Sequence, residues 1–409
     1  MKITFTLTLT FIICFHVVSA QKATSTSSDI ETLPTLQWKF ETTQPIVATP
    51  LIDQNMVYLG GLDSIFYALD LSTGAVKWKF RNGGPLRSTP KIDNQQLYLL
   101  GGDGFLYCLD KNTGKRIWTF ATRGGILGER RYDVADYFHS SPILHNGVVY
   151  FGSGDGRLYA VQSATGKMEW SFKADDIIHT TPVIHQDKIF VGASDGYLYN
   201  INLKDGTLTW KFKSVGHRYF PRGEMQGSPV VAGGLIFIGS RDYNLYAIDI
   251  QAGYCHWNKQ FPAGWATALT ARDTVLYVGT SDDRLFLAFD PRTGKEKWKV
   301  DAKFNIFGPA TLGTTTAYFG THMGKIFAVD LKNGAVRWTY ATKGYNDNHL
   351  KYFKSDDTLR DDFGGNLRTY NDYLRVLYSL GAIYSSPAVK DGVLVVTTSE
   401  GYVYCLKKT

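Results

Sequence analysis

Eight tryptophans recur along the chain at a nearly fixed spacing, and this spacing restricts the fold more than any other feature. They are Trp38, Trp78, Trp118, Trp170, Trp210, Trp257, Trp298 and Trp338, separated by 40, 40, 52, 40, 47, 41 and 40 residues. A fixed period of about 20–50 residues indicates a repeat architecture, because one unit cannot bury its hydrophobic face alone. The chain is therefore predicted to consist of stacked copies of one small unit.

A β-hairpin accompanies each tryptophan. In residues 65–80, alternating apolar residues predict a strand, Asp70 opens a polar turn that Gly74 closes, and the returning strand contains Trp78. The first strand of this hairpin recurs at 67–70, 107–110, 159–162, 199–202, 246–249, 287–290, 327–330 and 404–407. Four short strands per period of about 40 residues are typical of a propeller blade. The prediction is an all-β, eight-bladed propeller with four-stranded blades.

The two ends of the chain hold incomplete repeats. Residues 404–407 have no tryptophan strand after them, and residues 36–40 have no hairpin before them. We expect residues 36–40 to form the outer strand of the last blade, which would close the ring and remove its exposed ends.

The region before the repeats has the composition of a targeting segment. Residues 1–20 begin with Lys2, continue with an apolar run and end in small residues at Ala20, as a cleavable signal peptide does. Residues 21–35 are polar and are expected to be a flexible lead-in to the propeller at 36–409. These features predict an exported protein, periplasmic or secreted, with no transmembrane segment in the mature chain; a retained membrane anchor is the alternative.

Charge and cysteine content narrow the function classes. The net charge is +7, and lysine and arginine are scattered without a run of five, so nucleic acid is not expected as a partner. The predicted mature chain keeps three cysteines, Cys108, Cys255 and Cys405. Their odd number and their repeat positions favour small buried hydrophobic residues over disulfides.

A Thr/Ser-Pro pair begins six of the eight repeats, where the innermost strand of each blade should start beside the central channel. The position three residues before this proline is occupied by Val47, Arg87, His139, His179, Gln226 and Tyr384, and in the two divergent repeats by Trp265 or Ala266 and by Phe307. All of these residues are expected near the mouth of the channel.

This set of residues suggests a binding site for a small ligand in the funnel. Arg87, His139 and His179 come from consecutive blades and are expected to converge on an anion. Tyr384, Phe307 and Trp265 would form an apolar or stacking wall opposite them. The alternative is a polar funnel filled with water. A metal site is not predicted, because neither histidine has a recognisable ligand spacing.

Three connections are longer than the repeat requires, namely 121–140, 213–227 and 341–385. Each joins an outer tryptophan strand to the next inner strand, so all three should emerge on one face of the disc, which we call the loop face. Long loops on a regular scaffold commonly carry function. Candidate binding residues are Arg130 and Arg131 in the first loop and His217, Arg218 and Arg222 in the second. The third loop mixes charged residues with tyrosines and has weak helical spacing over Tyr370–Leu380.

The repeated pattern Y-A-hydrophobic-D-x-x-T-G-x-x-x-W-x-F, read at 67–80, resembles the pyrroloquinoline-quinone-type (quinoprotein-like) propeller repeat. The resemblance covers residues 36–409. Its length and export signal are most similar to the BamB-type outer-membrane assembly factors. The resemblance implies a non-enzymatic scaffold with no cofactor that binds a protein partner or envelope component through the loop face.

The same resemblance implies an alternative from another function class. Quinoprotein alcohol dehydrogenases bind pyrroloquinoline quinone beneath an adjacent Cys-Cys pair and above a carboxylate-rich calcium site. On this reading the chain would be an oxidoreductase with quinone and calcium in the funnel, beside Arg87, His139 and His179. The chain has no Cys-Cys dipeptide, which argues against that chemistry.

Overall fold

Eight four-stranded antiparallel sheets make up the protein, which confirms the predicted eight-bladed propeller. The computed structural model describes residues 29–123, 140–363, 365 and 367–409. The first strand is β1 (Thr35–Glu41). Blade 1 comprises β2 (Leu51–Asp53), β3 (Met56–Gly60), β4 (Ile65–Asp70) and β5 (Val76–Arg81); blade 2 comprises β6 (Lys91–Asp93), β7 (Gln96–Leu100), β8 (Phe105–Asp110) and β9 (Arg116–Ala121).

The next four blades repeat this order from the inner to the outer strand. Blade 3 comprises β10 (Ile143–His145), β11 (Val148–Gly152), β12 (Arg157–Gln162) and β13 (Met168–Lys173); blade 4 comprises β14 (Val183–His185), β15 (Lys188–Gly192), β16 (Tyr197–Asn202) and β17 (Leu208–Lys213). Blade 5 comprises β18 (Val230–Ala232), β19 (Leu235–Gly239), β20 (Asn244–Asp249) and β21 (Cys255–Gln260); blade 6 comprises β22 (Ala266–Arg272), β23 (Val275–Thr280), β24 (Leu285–Phe289) and β25 (Glu296–Asp301).

The last two blades differ in how they are completed. Blade 7 comprises β26 (Thr311–Leu312), β27 (Thr316–Gly320), β28 (Lys325–Asp330) and β29 (Val336–Ala341), and it is followed by α1 (Lys343–Tyr352) and α2 (Tyr370–Leu380). Blade 8 comprises β30 (Ala388–Lys390), β31 (Val393–Thr397) and β32 (Tyr402–Lys407). Strand β1 is the fourth strand of this sheet and pairs antiparallel with β32, from Thr35 opposite Lys407 to Glu41 opposite Tyr402.

The helix at 370–380 begins and ends with recognisable signals. Thr369 caps α2 by accepting from the Asp372 amide, the Asp372 side chain accepts in return from the Thr369 amide, and Gly381 ends the helix in the left-handed conformation. The bounds of α2 agree with the helical spacing of apolar residues noted over Tyr370–Leu380. No helical spacing was noted for α1. Within the described ranges no helix is long and apolar enough to span a membrane.

Each repeat tryptophan is part of the interface between two blades. The Trp78 indole N–H donates to the Lys111 carbonyl of blade 2 at 3.1 Å, and the Trp118 indole donates to the Ser163 carbonyl of blade 3 at 3.0 Å. The same bond recurs from Trp38, Trp170, Trp210, Trp257 and Trp298 to the next blade, at 2.8–3.2 Å. The regular spacing of the tryptophans therefore arises because each of them docks its blade on the next one.

The turn glycine of the repeat lies against the tryptophan of the preceding blade. Gly114 has a φ of +70°, and a Cβ atom there would lie 2.4 Å from Cε3 of Trp78. The seven equivalent turn glycines, from Gly74 to Gly334, all combine a positive φ with this close approach to the indole. Glycine is required both for the left-handed backbone and for room beside the ring.

The eighth tryptophan has no following hairpin turn and docks on residues that precede β1. The Trp338 indole donates to the Ile30 carbonyl at 2.8 Å, and Tyr318 accepts from the Ile30 amide at 2.7 Å. The Asp29 carboxylate accepts from the backbone amides of Thr314 and Thr315. Asp29 and Ile30 are fully buried, so these residues differ from the flexible lead-in expected over 21–35. Residues 21–28 lie outside the described part of the chain.

The glycine contact can be tested with Gly114→Ala against Gly234→Ala. Gly234 also has a positive φ, of +84°, but a Cβ there meets no atom within 4 Å. We expect Gly234→Ala to lower the free energy of unfolding by about 1 kcal/mol, the cost of a left-handed alanine. Gly114→Ala should cost a further 1–3 kcal/mol or so, because it also overpacks the Trp78 interface. Equal losses in urea unfolding would show that the indole contact contributes nothing.

Candidate functional site: the channel and the loop face

The Thr/Ser-Pro hydroxyls link the inner strands of adjacent blades. The Thr89 amide donates to Ser141 Oγ at 2.9 Å, the Ser141 amide to Thr181 Oγ1 at 3.0 Å, and the Thr181 amide to Ser228 Oγ at 2.9 Å. The Ser386 amide donates in the same way to Thr49 Oγ1 at 3.0 Å. In four of the six motifs the hydroxyl thus accepts an amide proton from the preceding blade.

These hydroxyls surround a cavity of about 170 Å³ at the centre of the propeller. Its described walls consist of Val47, Thr49, Arg87, Thr89, Ser141, His179, Thr181, Gln226, Gly227, Ser228, Thr267, Phe307, Pro309, Tyr384 and Ser386. The structure therefore brings together six of the predicted funnel residues: Val47, Arg87, His179, Gln226, Phe307 and Tyr384. His139 lies outside the described residues. That this set binds a ligand stays a prediction.

Trp265, another described member of the predicted set, is not among the residues lining the cavity. Blade 6 has no Thr/Ser-Pro pair, and its inner strand β22 is longer than the others, with Ala266 already paired to Thr280. The register shifts between Ala266 and Ala268, which leaves Thr267 in the cavity wall. The Trp265 ring instead meets Phe220 edge-on at 5.3 Å.

An aromatic group forms one side of the cavity and extends behind it. His322 stacks on Phe307, with 4.5 Å between ring centroids and 7° between planes, and lies 4.0 Å from the Tyr384 ring. Burial lowers the pKa of His322 to about 3, so the imidazole is neutral at physiological pH. Burial also raises the pKa of Tyr384 well above its usual range. His322 was missed from sequence, because it lies in the β27–β28 turn, where the repeat pattern gives no signal.

The 213–227 loop forms a second aromatic cluster on the loop face, built around an arginine. The Arg241 guanidinium lies 4.2 Å from the Phe220 ring centroid and 4.8 Å from that of Trp265. His217 meets Tyr243 edge-on at 4.7 Å and lies 5.4 Å from Tyr219. We call His217, Tyr219, Phe220, Tyr243, Trp265 and Arg241 the aromatic cluster. Arg241 and Tyr243 lie in the β19–β20 turn and carried no signal in the repeat pattern.

The other predicted arginines of this loop have different surroundings. The Arg218 guanidinium covers the Tyr219 ring at 4.5 Å. Arg222 donates to the Asp176 carboxylate at 2.7 Å, which ties the loop to the segment between blades 3 and 4. In the first long loop, the Arg123 amide donates to Tyr159 and Asp155. Arg130 and Arg131 lie outside the described residues.

The third long connection, 341–385, packs as a small unit with its own apolar core. Val376, Leu377 and Leu380 of α2 pack with Val47 and Tyr384, both of which also line the cavity. The other members of this core are Phe304, Met323, Tyr345, Phe353 and Ala382. The helical unit therefore lies beside the channel, on the side of blades 7, 8 and 1.

Comparison with known proteins gives the family. A family model described as outer membrane protein assembly factor BamB matches residues 34–137, 102–226 and 221–351, which together exceed half of the chain. The chain belongs to this family. Its PQQ-like propeller confirms the resemblance read from the repeat pattern.

Solved structures with the same fold include a designed protein and two bacterial proteins. The computationally designed Ika8 protein has a TM-score of 0.68 at 14% identity, covering 90% of this chain and 97% of that one. BamB from Moraxella catarrhalis has a TM-score of 0.66 at 14% identity, covering 92% and 100%. Quinohemoprotein alcohol dehydrogenase from Pseudomonas putida HK5 has a TM-score of 0.65 at 12% identity, covering 94% and 77%. These identities show the fold alone. No curated protein sequence matched.

The described residues do not fit pyrroloquinoline quinone with calcium. None of the described cavity-lining residues is a carboxylate that could ligate calcium. No group of three or more His, Cys, Asp or Glu able to hold a metal occurs in the described ranges. Cys108 and Cys405 are buried in blade cores and Cys255 is half-buried, and none of them lines the cavity.

Because His322 is neutral in the folded protein, we predict that the free energy of unfolding decreases in acid. Between its native pKa of about 3 and the ordinary value of 6.5, the unfolded state binds a proton that the native state does not. Stability should therefore fall as the pH drops through this range, with a contribution of up to about 1.4 kcal/mol per pH unit. His322→Phe should flatten this part of the curve of unfolding free energy against pH. His256→Phe, at an exposed site, is the control; equal flattening in both variants would contradict the assignment.

Proposed function

We propose that this protein is an exported, non-enzymatic propeller that binds a protein partner of the cell envelope through its loop face. Membership of a family described by an outer membrane protein assembly factor supports a scaffold role. The observation that carries the proposal is the aromatic cluster of the 213–227 loop, together with the arginine beside it. Arginine and large aromatic residues dominate the binding energy of protein interfaces.

The exposed edge of the aromatic cluster has the composition of an interface. Tyr219 is 64% exposed although it is a large aromatic residue, and neighbouring Val215 is 78% exposed. Arg218 lies over the outer ring. A tyrosine loses little side-chain entropy on binding, and it offers both an apolar ring and a hydroxyl to a partner.

The loop that carries these residues is held in place by bonds to the scaffold. His217 and Phe220 exchange backbone hydrogen bonds of 3.0 and 2.9 Å, which closes a tight turn around Tyr219. Ser214 donates to the Gly223 carbonyl at 2.9 Å, and the Gly216 amide donates to Asp242 at 3.1 Å. A loop fixed in this way loses less conformational entropy on binding, which favours affinity.

The helical unit contributes a second part of the loop face, on the side of blades 7, 8 and 1. Leu350 on α1 is 64% exposed, while Tyr345 on the same helix is buried. Tyr345 donates to Asp357, which also pairs with Lys325, so α1 is fixed to blade 7. An exposed apolar residue on a fixed element suits a protein surface better than a small substrate.

The partner site can be tested by placing a photo-crosslinking phenylalanine analogue at Tyr219 and, as a matched control, at Tyr254. Tyr254 is also an exposed tyrosine, 55% accessible, but it lies in the β20–β21 turn of blade 5, at the opposite end of that hairpin. In cells, position 219 should give a discrete crosslinked protein, and position 254 should not. Tyr219→Ser should abolish co-purification of that protein without lowering the melting temperature. The same crosslink from position 254, or none from 219, would contradict the proposal.

The proposed absence of quinone chemistry is tested separately. The purified protein, incubated with pyrroloquinoline quinone and calcium and then desalted, should retain no quinone absorbance and reduce no dye with alcohol substrates. Stoichiometric quinone retention that is lost in Arg87→Met would overturn the non-enzymatic proposal, whatever the crosslinking shows.

A further inference from the structure

The outer strand of blade 2, β9, forms the edge of its sheet. The strand order is β6-β7-β8-β9, so β9 pairs with β8 on one side and has no strand partner among the described residues on the other. The outer strand of every blade has such an edge. An unpaired edge presents backbone N–H and C=O groups to other chains, and native proteins commonly protect it with charged side chains.

The residue before each repeat tryptophan shows how the eight edges differ. The register of each outer strand shifts at this residue, which has no partner opposite it. Seven blades have a polar or charged residue there: Gln37, Lys77, Glu169, Thr209, His256, Lys297 and Arg337. Blade 2 has Ile117 instead, which is 49% exposed. The edge of blade 2 therefore lacks the polar group that the other edges have at this point.

The next two exposed positions of β9 are also uncharged. Thr119 and Ala121 follow Ile117 at alternate residues. In blades 1, 4 and 8 the position of Thr119 holds a lysine whose ammonium lies 3.9–5.2 Å from the centre of an aromatic ring on the adjacent strand. In blades 1, 3 and 4 the position of Ala121 holds a basic residue that donates to a carbonyl in the preceding turn. Thr119 and Ala121 can form neither contact, and Phe105, opposite Ala121, is 38% exposed.

Both ends of β9 are positively charged. Lys115 and Arg116 lie at its beginning, Arg123 lies two residues beyond its end, and all three are exposed. None of the three forms a salt bridge within the described part of the chain. The edge of blade 2 therefore combines an apolar middle with cationic ends.

This charge pattern distinguishes between two kinds of occupant. Two β9 strands from two copies of the protein, paired antiparallel, would bring Lys115 and Arg116 of each copy beside Arg123 of the other. Like charges opposite each other destabilise a pair of strands. A segment with β-branched residues in the middle and acidic residues at both ends would instead place opposite charges together at each end. The charges of β9 thus favour such a segment over a second copy.

We propose that β9 binds an extended segment of a partner protein as a fifth strand of blade 2. The segment has β-branched residues beside Ile117 and acidic residues beside the basic groups at the two ends of β9. Its backbone pairs with the open edge, and this pairing supplies affinity while the side chains supply specificity. The surface is separate from the aromatic cluster, whose loop joins blades 4 and 5, so the proposal does not depend on the loop-face partner.

The test is fluorescence anisotropy of the purified protein with the labelled peptide Asp-Glu-Val-Thr-Val-Thr-Val-Asp-Glu. We expect saturable one-to-one binding that weakens as salt is raised, because the charged ends are exposed to solvent. A peptide with proline in place of the central valine loses a backbone donor and should bind about tenfold more weakly. A peptide with lysines in place of its acidic residues should also bind about tenfold more weakly.

Each peptide result decides one part of the proposal. Equal binding of the proline peptide would refute strand pairing, and equal binding of the lysine peptide would refute an acidic partner. No binding of the acidic peptide at millimolar concentration would overturn the proposal.

Two pairs of variants locate the peptide on β9. Ile117→Glu should weaken binding about tenfold, since it removes the apolar contact and repels the acidic ends, whereas Thr209→Glu at the same position of blade 4 should not. Lys115→Gln should weaken binding and reduce its salt dependence, whereas Lys295→Gln, in the equivalent turn of blade 6, should change neither. All four residues are exposed, so the melting temperature should stay the same. Equal losses in a variant and its control would overturn the proposal.

Hydrogen exchange and sedimentation distinguish the remaining occupants and sites. Bound peptide should slow exchange of the backbone amides of residues 116–121, but not of residues 336–341 in the outer strand of blade 7. Slower exchange in 213–227 and not in β9 would place the peptide on the loop face and overturn the proposal. Dimerisation of the protein in sedimentation that is lost in Ile117→Glu would identify a second copy as the occupant and would also overturn it.

Discussion

The indole N–H of one blade bonded to a turn carbonyl of the next is the interaction on which the rest of the structure depends. It joins an outer strand to a neighbouring hairpin, and the turn glycine beneath the ring permits the close approach. Tryptophan and glycine must therefore both recur from repeat to repeat, which is why the repeat period can be recognised in the sequence. The last blade has no such turn. There the Ile30 carbonyl accepts the hydrogen bond from the Trp338 indole N–H, so the eighth tryptophan also makes this bond.

The sequence predicted the blades and the loop positions because both follow from repetition. It could not predict features that occur once. The docking of Asp29 and Ile30 has no second copy to reveal it, and it rests on contacts almost 290 residues away along the chain. Trp265 was misplaced for a related reason: a register shift in β22 moves Thr267 into the channel, and a bulge is invisible in a repeat alignment.

The Thr/Ser-Pro motif fixes where each inner strand begins, and six of the residues expected at the funnel line the described cavity. Its hydroxyls serve the scaffold by accepting an amide proton from the preceding blade. This structural role uses the hydroxyl oxygen as an acceptor. The hydroxyl proton can still donate a hydrogen bond. The same bonds that hold the inner strands in register thus give the channel its donor-rich character, which composition alone would not reveal.

Buried polar atoms without a hydrogen-bond partner in the described chain include the Gln226 amide in the cavity wall, the His322 imidazole behind it and the Trp265 indole of the aromatic cluster. Each lowers stability, and a framework with eight indole bonds can tolerate that loss. None of the three takes part in the indole docking between blades or in the hydroxyl chain. Their rings and side chains pack with neighbouring residues, but the docking of the blades does not explain why these polar atoms are retained without a partner.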